Sequence, residues 1–164
     1  MADTTAEGPE GAAFPSGRTD RRWLERTVEL SRECPPSATA FAVGAVVVGG
    51  DGQVVATGYS RESHPLDHAE EAVLAKIARD DPRLASATLY SSLEPCSTRS
   101  SRPRSCTELI LASGIRRVVF AWREPDLFVD CVGAETLRAA GVEVVEIPEL
   151  AARAREVNVR LFGA

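Results

Sequence analysis

The sequence predicts an α/β protein, a three-layer α/β/α sandwich on a five-stranded mixed sheet. Three observations lead there. Two strand-like runs, 42–48 and 53–59, are separated only by Gly49-Gly50-Asp51-Gly52, the mark of an antiparallel hairpin. The later strand-like runs, 87–93, 115–122 and 142–147, alternate with helical patterns, as crossover-connected strands do. The run 42–48 is almost wholly apolar, as in a strand covered on both faces. Pattern alone leaves the strand order open.

Taken in order, residues 1–19 are Gly, Ala, Thr, Glu and Pro with little to bury, and read as a disordered tail before a domain at 20–164. Asp20 is the expected N-cap of a first helix whose face is Trp23, Leu24, Val28, Leu30 and Cys34; Pro35-Pro36 stops it. After the hairpin, a second helix is expected over 67–78, with Ala69, Val73 and Ile77 inward. Strand 87–93 leads into a loop over 94–105, then a helix over 106–112 ended by Gly114. Strand 115–122 is followed by a helix over 134–140 closed by Gly141 and the strand 142–147. Pro148 opens a last helix with Leu150, Ala154, Val157 and Leu161 on one face. There are no internal repeats.

With 164 residues the chain is one domain by size, long enough to bury a core. Its 19 basic and 24 acidic residues give a net charge of −5, which argues against general electrostatic binding to nucleic acid. No apolar run approaches the roughly 20 residues of a membrane helix, and the N-terminus lacks a signal-peptide pattern. The expected location is the cytoplasm. The 4 cysteines could pair as two disulfides in a secreted protein, or serve a metal.

The chemistry concentrates in His68-Ala69-Glu70 and in Pro95-Cys96 followed by Cys106. A catalytic zinc takes three protein ligands and leaves the fourth position to water. His68, Cys96 and Cys106 supply one nitrogen and two sulfurs, and Glu70 stands close enough to handle the protons of that water. Each residue also has a plain reading. Asp67-x-x-Glu70 fits a capping box, His68 an exposed first-turn residue, and free cysteines are commonly small buried hydrophobes. Cys34 and Cys131 read as such hydrophobes. Cys96 enters a helix and Cys106 sits in its first turn, where unpaired N–H groups favour thiolate. Only as an ordered set do the residues favour zinc.

That set resembles the cytidine deaminase superfamily, with its H-x-E and P-C signature. The resemblance implies Zn2+ on His68, Cys96 and Cys106, with Glu70 as general base and then acid in hydrolysis of a ring amine. Nine residues separate the cysteines here, where the usual motif has two. In this respect the chain resembles the pyrimidine deaminase domain of riboflavin biosynthesis. The likeness extends over Leu93-Glu94-Pro95-Cys96-Ser97, Gly114-Ile115-Arg116-Arg117-Val118-Val119, Arg123-Glu124-Pro125, Gly141-Val142-Glu143-Val144 and Glu156-Val157-Asn158.

The substrate-facing positions depart from that family. Ala40-Phe41 replaces its Asn-Pro, Thr98 its His, and Glu124-Pro125-Asp126 its Asp-Pro-Asn, while Phe41-x-Val43-Gly44-Ala45 reads more like the cytidine and deoxycytidylate deaminases. The expected substrate is a small aminopyrimidine or cytosine-type base, nucleoside or nucleotide, contacted by Phe41, Val43, Glu124 and Asp126. Between the cysteines lie Arg99, Arg102 and Arg104. They are either a solvated loop or an anion site, with Arg99 and Arg102 the expected contacts for a phosphate. No reductase-like segment follows, so a bifunctional enzyme is not expected, and related deaminases imply a homodimer or higher homo-oligomer. Two other readings stay open. A nucleic-acid editing deaminase is disfavoured by charge and by 5% aromatic content. A structural zinc protein would need His64 as its fourth ligand.

Overall fold

The computed structural model describes residues 17–125 and 131–162. Helices are α1 Gly17–Ser31, α2 Ala69–Ala75, α3 Cys106–Ser113, α4 Gly133–Ala139 and α5 Ala151–Val157. Strands are β1 Gly44–Val48, β2 Val54–Tyr59, β3 Thr88–Leu93, β4 Arg117–Trp122 and β5 Glu143–Glu146. They form one sheet in the order β2-β1-β3-β4-β5. β1 runs antiparallel to both β2 and β3, whereas β3, β4 and β5 are mutually parallel. This is the expected mixed sheet.

Side-chain alternation along the strands separates two cores. Ala45 and Val47 of β1 pack with Ala69 and Val73 of α2, Ile110 of α3 and Leu137 of α4. Val46 and Val48 pack with Leu24 and Leu30 of α1, Tyr90 of β3 and Leu150. Helices α2, α3 and α4 therefore cover one face, and α1 and α5 the other. All five residues of β1 are buried, which is why its sequence shows no polar alternation.

The element ends differ from expectation for identifiable reasons. Helix α1 begins at Gly17, inside the segment expected to be a tail; residues 1–16 lie outside the described residues. Asp20 is not a cap. It is 2% exposed and accepts from Arg117 Nη1 at 2.8 Å, Arg117 Nη2 at 2.7 Å and Tyr90 Oη at 2.8 Å. The helix must start earlier to carry that carboxylate inward to β4. At its other end α1 stops at Ser31, short of Cys34 and the prolines. Helix α2 starts at Ala69 because His68, with φ −82° and ψ 161°, is its N-cap. Gly114 closes α3 with φ 83°, the left-handed conformation that glycine adopts without strain. Pro148 opens a 3-10 turn, and α5 begins three residues later at Ala151.

Candidate active site

Three chain segments converge beyond the C-terminal end of β3. His68 precedes α2, Cys96 follows β3, and Cys106 is the first residue of α3. His68 Nδ1 lies 3.6 Å from Cys96 Sγ and 3.4 Å from Cys106 Sγ, and the three ligand atoms fall within 4.8 Å of one another. A tetrahedral ion bonded at about 2.3 Å to sulfur and about 2.0 Å to nitrogen holds those atoms about 3.5 Å apart. The donor set therefore fits zinc in identity and spacing.

The local folding that makes this cluster is specific. Ser105 caps α3, its hydroxyl accepting from the Glu108 amide at 3.2 Å, and leaves the Cys106 amide free to donate to Cys96 Sγ at 3.3 Å. The next amide, Thr107, donates to the Cys96 carbonyl at 3.1 Å. Of the two thiols Cys96 is the more acidic. Its pKa is pulled down to about 4, first by a hydrogen bond from the Cys106 thiol and against the opposing effect of burial. Cys106 is pushed up by the same hydrogen bond and by burial. Burial alone would lower His68, but the hydrogen bond and charge of Cys96 outweigh it and raise its pKa.

Glu70 is buried in the first turn of α2. The capping-box reading fails, because the helix cap is His68 and no side-chain cap bond forms. Instead Glu70 Oε2 lies 3.4 Å from Cys106 Sγ, and Oε1 lies 2.7 Å from Ser91 Oγ. Burial raises the pKa of this carboxyl. Ser91 is fully buried in β3, and its hydroxyl also lies 2.8 Å from the Leu93 carbonyl.

Behind the cluster, Glu94 fixes the neighbouring loops. Its buried carboxylate accepts from the Glu124 amide at 3.2 Å and the Ala134 amide at 3.0 Å, holding the ends of β4 and α4 together. Helix α4 approaches so closely that a Cβ on Gly133 would strike the Pro95 carbonyl oxygen.

A cavity of about 390 Å³ opens onto His68, Glu70 and Cys96. Phe41, Val43, Arg99 and Glu124, four of the expected substrate contacts, line it. Burial pushes the Glu124 carboxyl up to about 7. Arg102 is not among the lining residues; it pairs with Asp67 at 3.0 Å. Arg99 pairs with Glu71 at 3.3 Å, while its Nε is buried without a hydrogen-bond partner. Asp126 lies outside the described residues. His64 does not join the metal cluster: its Nδ1 accepts from the Leu66 amide and lies 3.1 Å from Arg102 Nη2. Cys34 and Cys131 stand apart too, half-buried, their thiols directed at the carbonyls of Val43 and Pro95.

Sequence reasoning missed Ser91, Glu94 and Glu71. Ser91 had no signal of its own, since Thr88, Tyr90 and Ser92 of the same strand also carry hydroxyls. Glu94 appeared only as part of a motif, and nothing distinguished Glu71 from a solvated helix residue.

A family model for the cytidine and deoxycytidylate deaminase zinc-binding region matches residues 18–122. The chain belongs to this family. Among curated members, it is 41% identical over 126 residues to the diaminohydroxyphosphoribosylamino-pyrimidine deaminase of Schizosaccharomyces pombe, covering 76% of this chain and 31% of that protein. The chain spans about a third of the length of the curated relatives it matches. The deaminase fold is shared with the Thermotoga maritima diaminohydroxyphosphoribosylaminopyrimidine deaminase/5-amino-6-(5-phosphoribosylamino)uracil reductase (TM-score 0.75, 32% identity, 85% of this chain and 39% of that one). It is also shared with the Aspergillus oryzae Rib2 deaminase solved in complex with DARIPP (TM-score 0.67, 25% identity, 89% of this chain and 100% of that one). Zinc is the family's metal, and His68, Cys96 and Cys106 form the group suited to hold it.

Proposed function

We propose that this chain is a hydrolytic deaminase that removes the exocyclic amine of a small phosphorylated aminopyrimidine, of the kind its riboflavin-pathway relatives are named for. One observation carries the reading: a buried carboxylate, Glu70, stands beside the His68, Cys96 and Cys106 cluster at the wall of a cavity. Bound zinc lowers the pKa of its water to about 7 and so supplies a nucleophile near neutrality. Glu70 takes the water's proton and delivers protons to the ring nitrogen and the departing amine. Water adds at the amidine-like carbon, the C–N bond breaks, ammonia leaves and a carbonyl remains.

Ser91 supports Glu70 in both of its protonation states. The serine hydroxyl has one proton and two acceptors within reach, Glu70 Oε1 and the Leu93 carbonyl. When Glu70 is ionised, Ser91 donates to it. When Glu70 carries the shuttled proton on Oε2, the oxygen beside Cys106, Oε1 still accepts from Ser91. The carboxyl keeps its place throughout.

Phe41 and Val43 supply apolar wall for the ring, and Glu124 and Asp126 supply polar contacts. Arg99, which lines the cavity, is the favoured contact for the anionic part. Arg102 contributes through its ion pairs. The protein acts in the cytoplasm as a homo-oligomer on a free small molecule, without nucleic acid or membrane. No helix among the described residues is long and apolar enough to cross a membrane. The test is ammonia release by zinc-loaded protein from a phosphoribosylaminopyrimidine, its dephosphorylated form, cytidine and deoxycytidylate. The first should be preferred, and Glu70→Gln should cut turnover by at least roughly 10²-fold with zinc retained. Preference for cytidine or deoxycytidylate would move the reading to that branch of the family. No ammonia from any of the four would end it.

A further inference from the structure

The loop over 97–105 joins the two cysteine ligands and carries Arg99 and Arg102, whereas Asp67 lies just before α2 and Glu71 in its first turn. The intervening His68 and Glu70 turn to the metal cluster instead. Glu71 uses one oxygen for each arginine: Oε1 lies 3.3 Å from Arg99 Nη1 and Oε2 3.6 Å from Arg102 Nε. Asp67 Oδ1 accepts from Arg102 Nη2 at 3.0 Å. Arg99 is tied further to the Leu66 carbonyl at 2.6 Å and to Ser101 Oγ at 3.3 Å.

Two acids that would repel each other are thus neutralised by two cations from the facing loop. Isolated surface pairs of this kind contribute little. Here the Arg99 side chain is only 3% exposed, and one carboxylate serves both cations. The cluster connects the His68–Glu70 side of the site to the Cys96–Cys106 side by a route that does not pass through the metal.

We propose that Glu71 is a positioning residue for the metal centre: by gripping Arg99 and Arg102 it holds the cysteine loop against α2 and so governs how long zinc is retained. The argument rests on the zinc reading above. Its measurement is zinc release, not turnover, so it stands or falls separately from the choice of substrate.

Zinc-loaded protein is mixed with excess chelator, and release is followed by the colour of 4-(2-pyridylazo)resorcinol. Groups that orient metal ligands typically change affinity or activity by about 10- to 100-fold when lost. Glu71→Gln should therefore release zinc roughly 10- to 100-fold faster than the native chain, while exposed Glu108→Gln on α3 should not. The effects of Glu71→Gln and Arg99→Gln should combine to less than their product, since both changes break the Glu71–Arg99 pair. If Glu71→Gln does not fold, Arg99→Lys and Arg102→Lys keep the charges and lose the planar fork, and each should still speed release. Release within twofold of native in the folded variants, or effects of Glu71→Gln and Arg99→Gln that simply multiply, would overturn the proposal.

Discussion

Replacing Ser91 with alanine isolates the support given to Glu70. The change deletes one oxygen from a fully buried site and with it the 2.7 Å contact to Glu70 Oε1, while the 3.4 Å contact of Oε2 with Cys106 Sγ remains. A hydrogen bond to a charged group contributes about 1.5–3 kcal/mol. With each 1.36 kcal/mol equal to a factor of ten, kcat should fall roughly 10- to 150-fold. Ser91 is not among the cavity-lining residues, so KM should stay within about twofold. It contacts no metal ligand, so zinc content should remain unchanged. Steady-state ammonia release across a substrate range, together with zinc analysis of the same preparation, reads all three quantities. Native kcat at full zinc occupancy, or a loss confined to KM, would refute the two-state support described for Glu70.

Two further outcomes follow from the same geometry. Cys106→Ala should lose bound zinc while Cys131→Ala keeps one ion per chain, because Cys131 is turned to the Pro95 carbonyl and stands outside the His68, Cys96 and Cys106 group; metal analysis of both checks this. Glu124 carries a pKa pushed from 4.5 up to about 7 by burial, so the native state binds its proton more tightly than the unfolded chain. Its contribution to stability is full below pH 4.5 and is lost as pH rises to about 7. Denaturant unfolding of zinc-free protein should show that decline, and Glu124→Gln should flatten it.

Much of the fold was legible because the chain is locally consistent. The continuous apolar run in β1 announced a strand buried on both faces, and Gly114 and Gly141 marked the helix ends that they form, with φ of 83° and 89°. The metal ligands were legible as an ordered set. What escaped was long-range. Asp20 looks like a helix cap until Arg117, 97 residues away, is brought beside it. Glu70 fits a capping box until Ser91 and Cys106 surround it. The arginines of the cysteine loop read as cations facing an anion, but the acids that hold them are Asp67, just before α2, and Glu71 within it, where local sequence gives no sign of the encounter.

The buried pair between Asp20 and Arg117 also bears on the order in which the chain assembles. Its partners lie on α1 and β4, so the contact closes most of the polypeptide into one loop. Closing so long a loop is entropically unfavourable unless intervening structure has already shortened it. Burying either charge before the other arrives costs several kcal/mol. Helix α1, although made first, can therefore seat that carboxylate only after β4 has joined the growing sheet. Until then Val46, Val48, Tyr90 and Val119 lie uncovered on one side of the sheet. A chain stalled at that stage presents a sticky apolar surface, so the interval before α1 closes is when self-association competes most strongly with folding.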